Sequence, residues 1–135
     1  MENKKCPCGS GDSFYDCCDR FISGDLLPET ALHLMKSRYS AYAMKEVNYI
    51  FETTHPSVRH LTSVESIKDW ADETTWLNLE IVASKEEVVE FKATYKDLKG
   101  RKHVHHERSN FHFDSNKWYY VDGNYYDWKG NKQFS

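Results

Sequence analysis

The sequence predicts an α+β fold in which helices come first and a meander of antiparallel strands follows. Two observations carry that expectation. Apolar residues recur at helical spacing from Pro28 to about Ala71, and from Leu77 onward they alternate at the two-residue period of a strand. A third observation sets the start of the chain apart: residues 1–27 hold all four cysteines and show little periodicity. The expected division is therefore 1–27 and 28–135.

Pro28 is read as the start of the first helix, where its missing N–H is harmless. Ala31, Leu34, Met35, Tyr39 and Tyr42 continue it to about Met44. A second, shorter helix covers roughly Glu46 to Thr53, with Val47, Ile50 and Phe51 on one face; His55-Pro56 ends it, because the residue before a proline is pushed out of helical geometry. Thr62 and Glu65 have capping-box spacing and open a third helix bearing Val64, Ile67, Trp70 and Ala71.

Leu77, Leu79, Ile81 and Ala83 form the apolar face of a first strand, and Val89, Phe91, Ala93 and Tyr95 that of a second. Lys99-Gly100 turns the chain into a third strand with Phe111 and Phe113. Ser115-Asn116 makes a tight turn into a fourth, Trp118 to Val121. The tail from Asp122 is frayed or adds an edge. A curved sheet wrapped around the helices buries both apolar faces.

With 39% hydrophobic and 15% aromatic residues the chain can bury a core, and its many rings suit sheets and pocket walls. Acids and bases are mixed and the net charge is −3, so no basic stripe argues for nucleic acid. No apolar run approaches the roughly 18 residues of a membrane span. Met1 to Lys5 lacks the apolar core of a signal peptide, so the expected location is the cytoplasm.

Cys6 and Cys8 flank Pro7, and Cys17-Cys18 follow after a short gap. Four thiolates match a tetrahedral zinc site, with Gly9 permitting the turn that folds back on the metal. Four sulfurs leave no open coordination position, so the zinc is expected to be structural. Two disulfides are the alternative, disfavoured without a secretion signal and by the strain of bridging adjacent cysteines. Redox-active thiols at Cys6 and Cys8 are another.

The string Cys6-Pro7-Cys8-Gly9-Ser10 with Cys17-Cys18 resembles the SEC-C motif, the zinc knuckle also found at the tail of the SecA preprotein translocase. Leu34 through Tyr42, Thr54 through Ser57, Trp76-Leu77, Glu107-Arg108-Ser109 with Phe111, and Trp118 through Gly123 resemble the YchJ-like family in the family's order. That resemblance implies a cone-shaped domain similar to nuclear transport factor 2, with helices packed inside a strongly curved antiparallel sheet. Many members carry a second knuckle after this domain; this sequence has no cysteine beyond Cys18.

Folds of that shape often hold a pocket. Glu107 and Ser109 share strand parity with Phe111 and Phe113, which makes Glu107 a candidate acid–base carboxylate among rings. Arg38 and His55 are the other candidates. Alternatively Arg38 and Glu107 form a buried ion pair and His55 caps a helix. His103, His105, His106 and His112 raise a second metal site, against which stand ordinary exposed strand histidines. Trp70, Trp76, Trp118 and Trp128 are assigned to core or edge packing, with Trp76 or Trp118 as a possible pocket wall.

The expected function is a zinc-binding interaction module whose knuckle docks a protein partner; the alternative is a small-molecule-binding or enzymatic domain using Glu107, His55 and Arg38. An apolar cavity offering Glu107 and Arg38 favours the second; a filled interior with the two locked together favours the first.

Overall fold

The computed structural model describes residues 4–126 and 132–134. A 3-10 turn at Phe14–Asp16 and helix α1, Asp19–Ile22, belong to the cysteine segment. Three helices follow, α2 (Ala31–Met44), α3 (Val47–Glu52) and α4 (Val64–Glu73), with a 3-10 segment at Pro56–Leu61 between the last two. The strands are β1 (Thr75–Lys85), β2 (Val88–Lys96), β3 (Lys102–Asp114), β4 (Lys117–Tyr126) and β5 (Lys132–Phe134). They pair in sequence order, each antiparallel to the next. The α+β order expected from periodicity is the order found.

Helix starts differ from the expectation. Thr30, not Pro28, precedes the first turn of α2: its side chain accepts from the His33 N–H at 3.0 Å and satisfies one of the open donors. Ser63 rather than Thr62 caps α4, in a reciprocal box with Ser66 instead of Glu65. In both cases a hydroxyl one or more residues away had the better geometry. Pro56 does not merely end α3; it opens the 3-10 segment, with His55 as its cap.

The strand faces are set by bulges. Leu77 and Val82 are extra residues in β1, because Trp76 and Asn78 oppose Tyr95 and Thr94, and Ile81 and Ala83 oppose Phe91 and Glu90. Leu77 is consequently exposed, while Trp76, Leu79 and Ile81 pack on the core. The alternation expected through Leu77 fails there. In β4, Val121 is the extra residue between Tyr120, opposite Phe111, and Asp122, opposite Asn110. Ser115 and Asn116 both have positive φ, the two-residue hairpin turn expected for them. Phe113 is exposed at the sheet's end, stacked edgewise on its partner Trp118. At the tail, β4 runs on to Tyr126 and β5 adds an edge; Trp128 lies outside the described residues.

Helix α2 is the central element. Leu34, Met35 and Tyr39 pack against Val89, Phe91, Ala93 and Phe111 of the sheet. Its opposite side carries small buried residues, Ser37, Ser40 and Ala41. There Ser37 Oγ donates to the Leu34 carbonyl at 2.8 Å and meets Tyr49 Oη of α3 at 2.6 Å. Trp118 Nε1 donates to the Glu29 carbonyl at 3.1 Å and ties the entry of α2 to β4. The sheet therefore has one helix held firmly over it, and the space beside that helix is where the site lies.

Candidate functional site

The four cysteine sulfurs lie within 4.8 Å of one another. All four thiols are free, and Cys6, Cys8 and Cys18 are buried. Local backbone explains the convergence. The Gly9 N–H donates to the Cys6 carbonyl at 3.1 Å, closing a turn that Gly9 completes at φ 86°, a region costly for any side chain. The Cys6 N–H donates to the Asp12 carbonyl at 2.9 Å, and Cys18 stands at the N-cap of α1. Cys8 and Cys17 sulfurs are 3.6 Å apart, close to the about 3.8 Å edge of a tetrahedron with metal–sulfur bonds of about 2.3 Å. The donor set therefore fits a thiophilic metal ion.

Hydrogen bonds from Cys18 and Cys8 hold Cys6 far below the ordinary thiol range, and the contact with Cys6 pushes Cys18 up. Burial pushes Cys17 up as well. The Cys6 thiolate is stabilised at the expense of Cys18, a conflict that a cation held between the sulfurs would relieve. The cluster is fastened to the main body from two sides: Cys6 Sγ meets Ser40 Oγ of α2 at 3.4 Å, and Leu79 of β1 packs on its apolar rim.

On the other side of α2 a cavity of about 470 Å³ opens between that helix, α4 and the sheet. Rings dominate its wall, among them Tyr39, Tyr42, Trp70, Trp76, Phe91 and Phe111. Its strand wall draws on three cross-strand rows: Trp76 from the row it shares with Tyr95 and His103, Ala93 and His105 from the row of Leu79, and Phe91 and Glu107 from the row of Ile81. Ala93 is the small residue at the centre of these rows. It leaves the room that a larger side chain would fill.

Glu107 lines this cavity and is buried with 5% of its surface exposed. Its carboxylate is surrounded by donors. His105 Nε2 lies 2.8 Å from Oε1, while Ser109 Oγ and Tyr120 Oη donate to Oε2 at 2.5 and 3.1 Å. Gly123, opposite Ser109 in β4, makes the space: a Cβ there would fall 2.7 Å from Glu107 Cδ. Burial, and then the nearby Glu107 charge, push the Tyr120 phenol far above its ordinary range, so it stays a donor. Burial pushes Tyr39 up to about 12 and raises Tyr42 too.

Arg38 lines the same cavity but is not paired with Glu107. Its Nη1 donates to the Ile50 carbonyl and to Thr53 Oγ1, both at 2.8 Å, and to Thr54 Oγ1 at 3.4 Å. These contacts satisfy the C-terminal end of α3, and the guanidinium lies 4.6 Å over the Tyr120 ring. The buried Arg38–Glu107 ion pair considered from sequence is thus absent among the described residues. Each group found nearer partners.

His55 is elsewhere. It accepts from the Ser57 N–H through Nδ1, as a cap, and its Nε2 lies 2.9 Å from Asp114 Oδ2. It borders a separate, shallower depression with His112 and Asp122. The three candidates Glu107, Arg38 and His55 therefore do not converge; only the first two share a cavity. The strand histidines are dispersed as well, His103 on Asp97 and His106 on Glu90. Among the described residues, the four cysteines alone form a group with metal-binding spacing.

Sequence reasoning passed over His105, Tyr120 and Gly123 as members of the Glu107 site. For His105 a signal existed, since residues 105, 107 and 109 share a strand face. For Tyr120 one existed too, since the Ser115-Asn116 turn sets it opposite Phe111 on that face; Gly123 had none, because the bulge at Val121 sets its register.

The family described as YchJ, middle NTF2-like domain, matches residues 30–123. A UPF0225 protein of Haemophilus influenzae is 43% identical over 127 residues, which cover 90% of this chain and 77% of that protein. A UPF0225 protein of Geobacter sulfurreducens is 41% identical over 125 residues, 87% of this chain and 77% of that one. Two solved structures are similar. The solution structure of a SEC-C motif containing protein from Rhodopseudomonas palustris superposes with a TM-score of 0.80 at 36% identity, over 87% of this chain and 95% of that chain. The crystal structure of a SEC-C motif containing protein from Psychrobacter arcticus does so at 0.73 and 30%, over 88% and 81%. With the cysteine cluster in front and the matching domain behind it, the chain belongs to the YchJ-like family.

Proposed function

We propose that this is a zinc-containing protein whose main domain binds a small molecule in the cavity between α2, α4 and the sheet. The observation that carries the reading is the cavity itself: about 470 Å³, walled mainly by rings, with Glu107 and Arg38 both in its lining and not consumed by each other. A domain whose only task was to present the knuckle would gain stability by filling that space. The metal is zinc because four thiolates at tetrahedral spacing suit it, and with four sulfurs bound it has no position for substrate. Its part is structural, holding residues 4–27 against the back of α2. Four reduced thiols also accord with the cytoplasm.

The test is a fragment screen by ligand-observed NMR on the purified, zinc-loaded chain. Apolar fragments bind the native protein and not Ala93→Phe, whose ring occupies the cavity, while both proteins keep about one zinc per chain by elemental analysis. No fragment binding to the native chain sinks the reading.

A second reading has one observation behind it. Tyr15, Leu26 and Leu27, all in the knuckle segment, are about half exposed. They are the apolar residues with which a knuckle would dock a protein partner. Co-purification of a partner by the native chain, lost in Leu26→Glu with Leu27→Glu, supports it.

A further inference from the structure

His55 holds more hydrogen bonds than its capping role requires. Capping the 3-10 segment uses one contact, from the Ser57 N–H to Nδ1 at 3.2 Å. The same Nδ1 also meets Ser57 Oγ at 2.8 Å, and Nε2 meets Asp114 Oδ2 at 2.9 Å. The backbone contact fixes the tautomer, because a backbone N–H can only donate. Nδ1 is therefore the nitrogen with the lone pair, and Nε2 carries the proton directed at Asp114. Facing that lone pair, the Ser57 hydroxyl is a donor too. Serine, imidazole and carboxylate form one chain in which each group donates to the next.

The fold holds this chain in place. The His55 N–H donates to the Tyr120 carbonyl and the Tyr120 N–H to the Thr53 carbonyl, both at 2.8 Å, so residues 53–55 are fastened to β4. The His55 ring stands edge-on to His112 and Tyr119, a cross-strand pair, with centroids 5.7 and 5.3 Å away. Asn110, His112 and Asp114 share the face of β3 opposite to that of Glu107 and Ser109. Hydrogen bonds from His55 and then from Ser115 hold the Asp114 carboxyl below its usual range, so it stays an acceptor. The His55 side chain is only 17% exposed, whereas Ser57 is open to solvent and both line the shallow depression. A covered, oriented base beside an open hydroxyl is the arrangement that activates a serine.

We propose that Ser57 is a nucleophile activated by His55, with Asp114 as its positioning residue, and that it accepts the acyl group of short carboxylic esters. The depression is shallow and mixes apolar Phe111 and Val121 with polar Asn110 and His112, which suits a short acyl chain over a long one. Ser57 Oγ bonds to the ester carbonyl carbon as its proton passes to His55 Nδ1; the bond to the alcohol oxygen breaks, and the alcohol leaves with that proton. Water then attacks the acyl carbon and gives a proton to Nδ1. That proton returns to Ser57 Oγ as the acid departs. Ester and water become acid and alcohol, with nothing else consumed. The site lies apart from the cavity beside α2, and neither reading depends on the other.

The experiment treats the zinc-loaded full chain with a fluorophosphonate, from which an activated serine displaces fluoride, and separately with p-nitrophenyl acetate. Peptide mass mapping locates the adduct, and released p-nitrophenolate reads turnover. About one adduct per chain is expected on Ser57, with none in Ser57→Ala. Because His55 also caps the 3-10 segment, Asp114→Asn is the safer variant for the base. It should slow labelling and turnover about tenfold or more, since a neutral amide orients the imidazole and supports its developing charge less well. Asp114→Glu still offers a carboxylate and should recover most of that loss. An Asp114 of purely structural importance would instead lower the melting temperature and leave both rates alone. Unlabelled Ser57 in the native chain overturns the proposal, as does an adduct confined to any other residue. Labelling of Ser57 at an unchanged rate in Asp114→Asn overturns it as well. All of these outcomes leave the fragment screen of the cavity to be decided by itself.

Discussion

Two regions on opposite sides of α2 keep their shape by different means. The knuckle, residues 4–27, has a core of three buried thiols and one ring, Phe14. The region behind it buries Leu34, Val89 and Ile50 completely, along with nine further apolar residues, between helices and sheet. So few apolar atoms cannot offset the entropy of ordering the knuckle chain, at about 1–2 kcal/mol per residue. A metal ion held by the four thiols would supply what the missing core does not. The sheet region needs no such help, and it can leave a cavity unfilled beside its central helix.

The largest expected effect separates the two regions. Cys8→Ser should abolish zinc binding, removing a contribution of about 10–16 kcal/mol from the knuckle fold. Hydrogen exchange should then show lost protection in residues 4–27 with the strands still protected. Zinc remaining at one per chain would mean that the four cysteines are not the ligands. Loss of protection throughout β1–β4 would mean that the contacts at Ser40 and Leu79 make one cooperative unit.

The reverse experiment is Leu34→Ala. That side chain is completely buried, and its removal should cost about 2–5 kcal/mol by urea unfolding. Zinc content, measured where the variant is still folded, should not change. Gly123→Ala should cost less, about 1–3 kcal/mol, because the added methyl must displace the Glu107 carboxylate from Ser109 and Tyr120. Wild-type stability in that variant would show that Glu107 moves aside freely.

The smallest effect concerns acid. Hydrogen bonds from His103 first, then from the Arg101 and Lys99 N–H groups and the Arg101 side chain, hold the Asp97 carboxyl well below its usual range. A depressed folded pKa gives stability that is present above the unfolded value of about 3.9 and is lost as pH falls towards the folded one. Asp97→Asn should therefore be slightly less stable near neutrality and show a shallower acid limb below about pH 4. An unchanged acid limb would mean that the β2–β3 turn contributes nothing to it.

Both regions were legible in the sequence, to different depths. The cysteine cluster was fully so, since Cys6, Cys8, Cys17 and Cys18 converge through short-range turns at Gly9 and at the start of α1. Helices and strands were legible as elements, with errors at their caps: Thr30 and Ser63 do the work expected at Pro28 and Thr62. Several hydroxyls stood near each start, and which one caps depends on how the helix docks. The candidate cavity was legible only in Glu107, Arg38 and the suggestion of Trp76 as a wall.

Order and type of elements, together with the four-cysteine cluster, were determined by the sequence itself, because periodicity and thiol spacing act within a few residues of the chain. Tertiary structure decided the rest. The bulges at Leu77, Val82 and Val121 choose which strand faces look inward, and they exist only once neighbouring strands pair. That pairing sets Tyr120 and Gly123 against Glu107, draws Arg38 to the end of α3, and leaves His55 outside. A polar group takes the nearest good partner. Which partner is nearest is settled by contacts far apart in sequence.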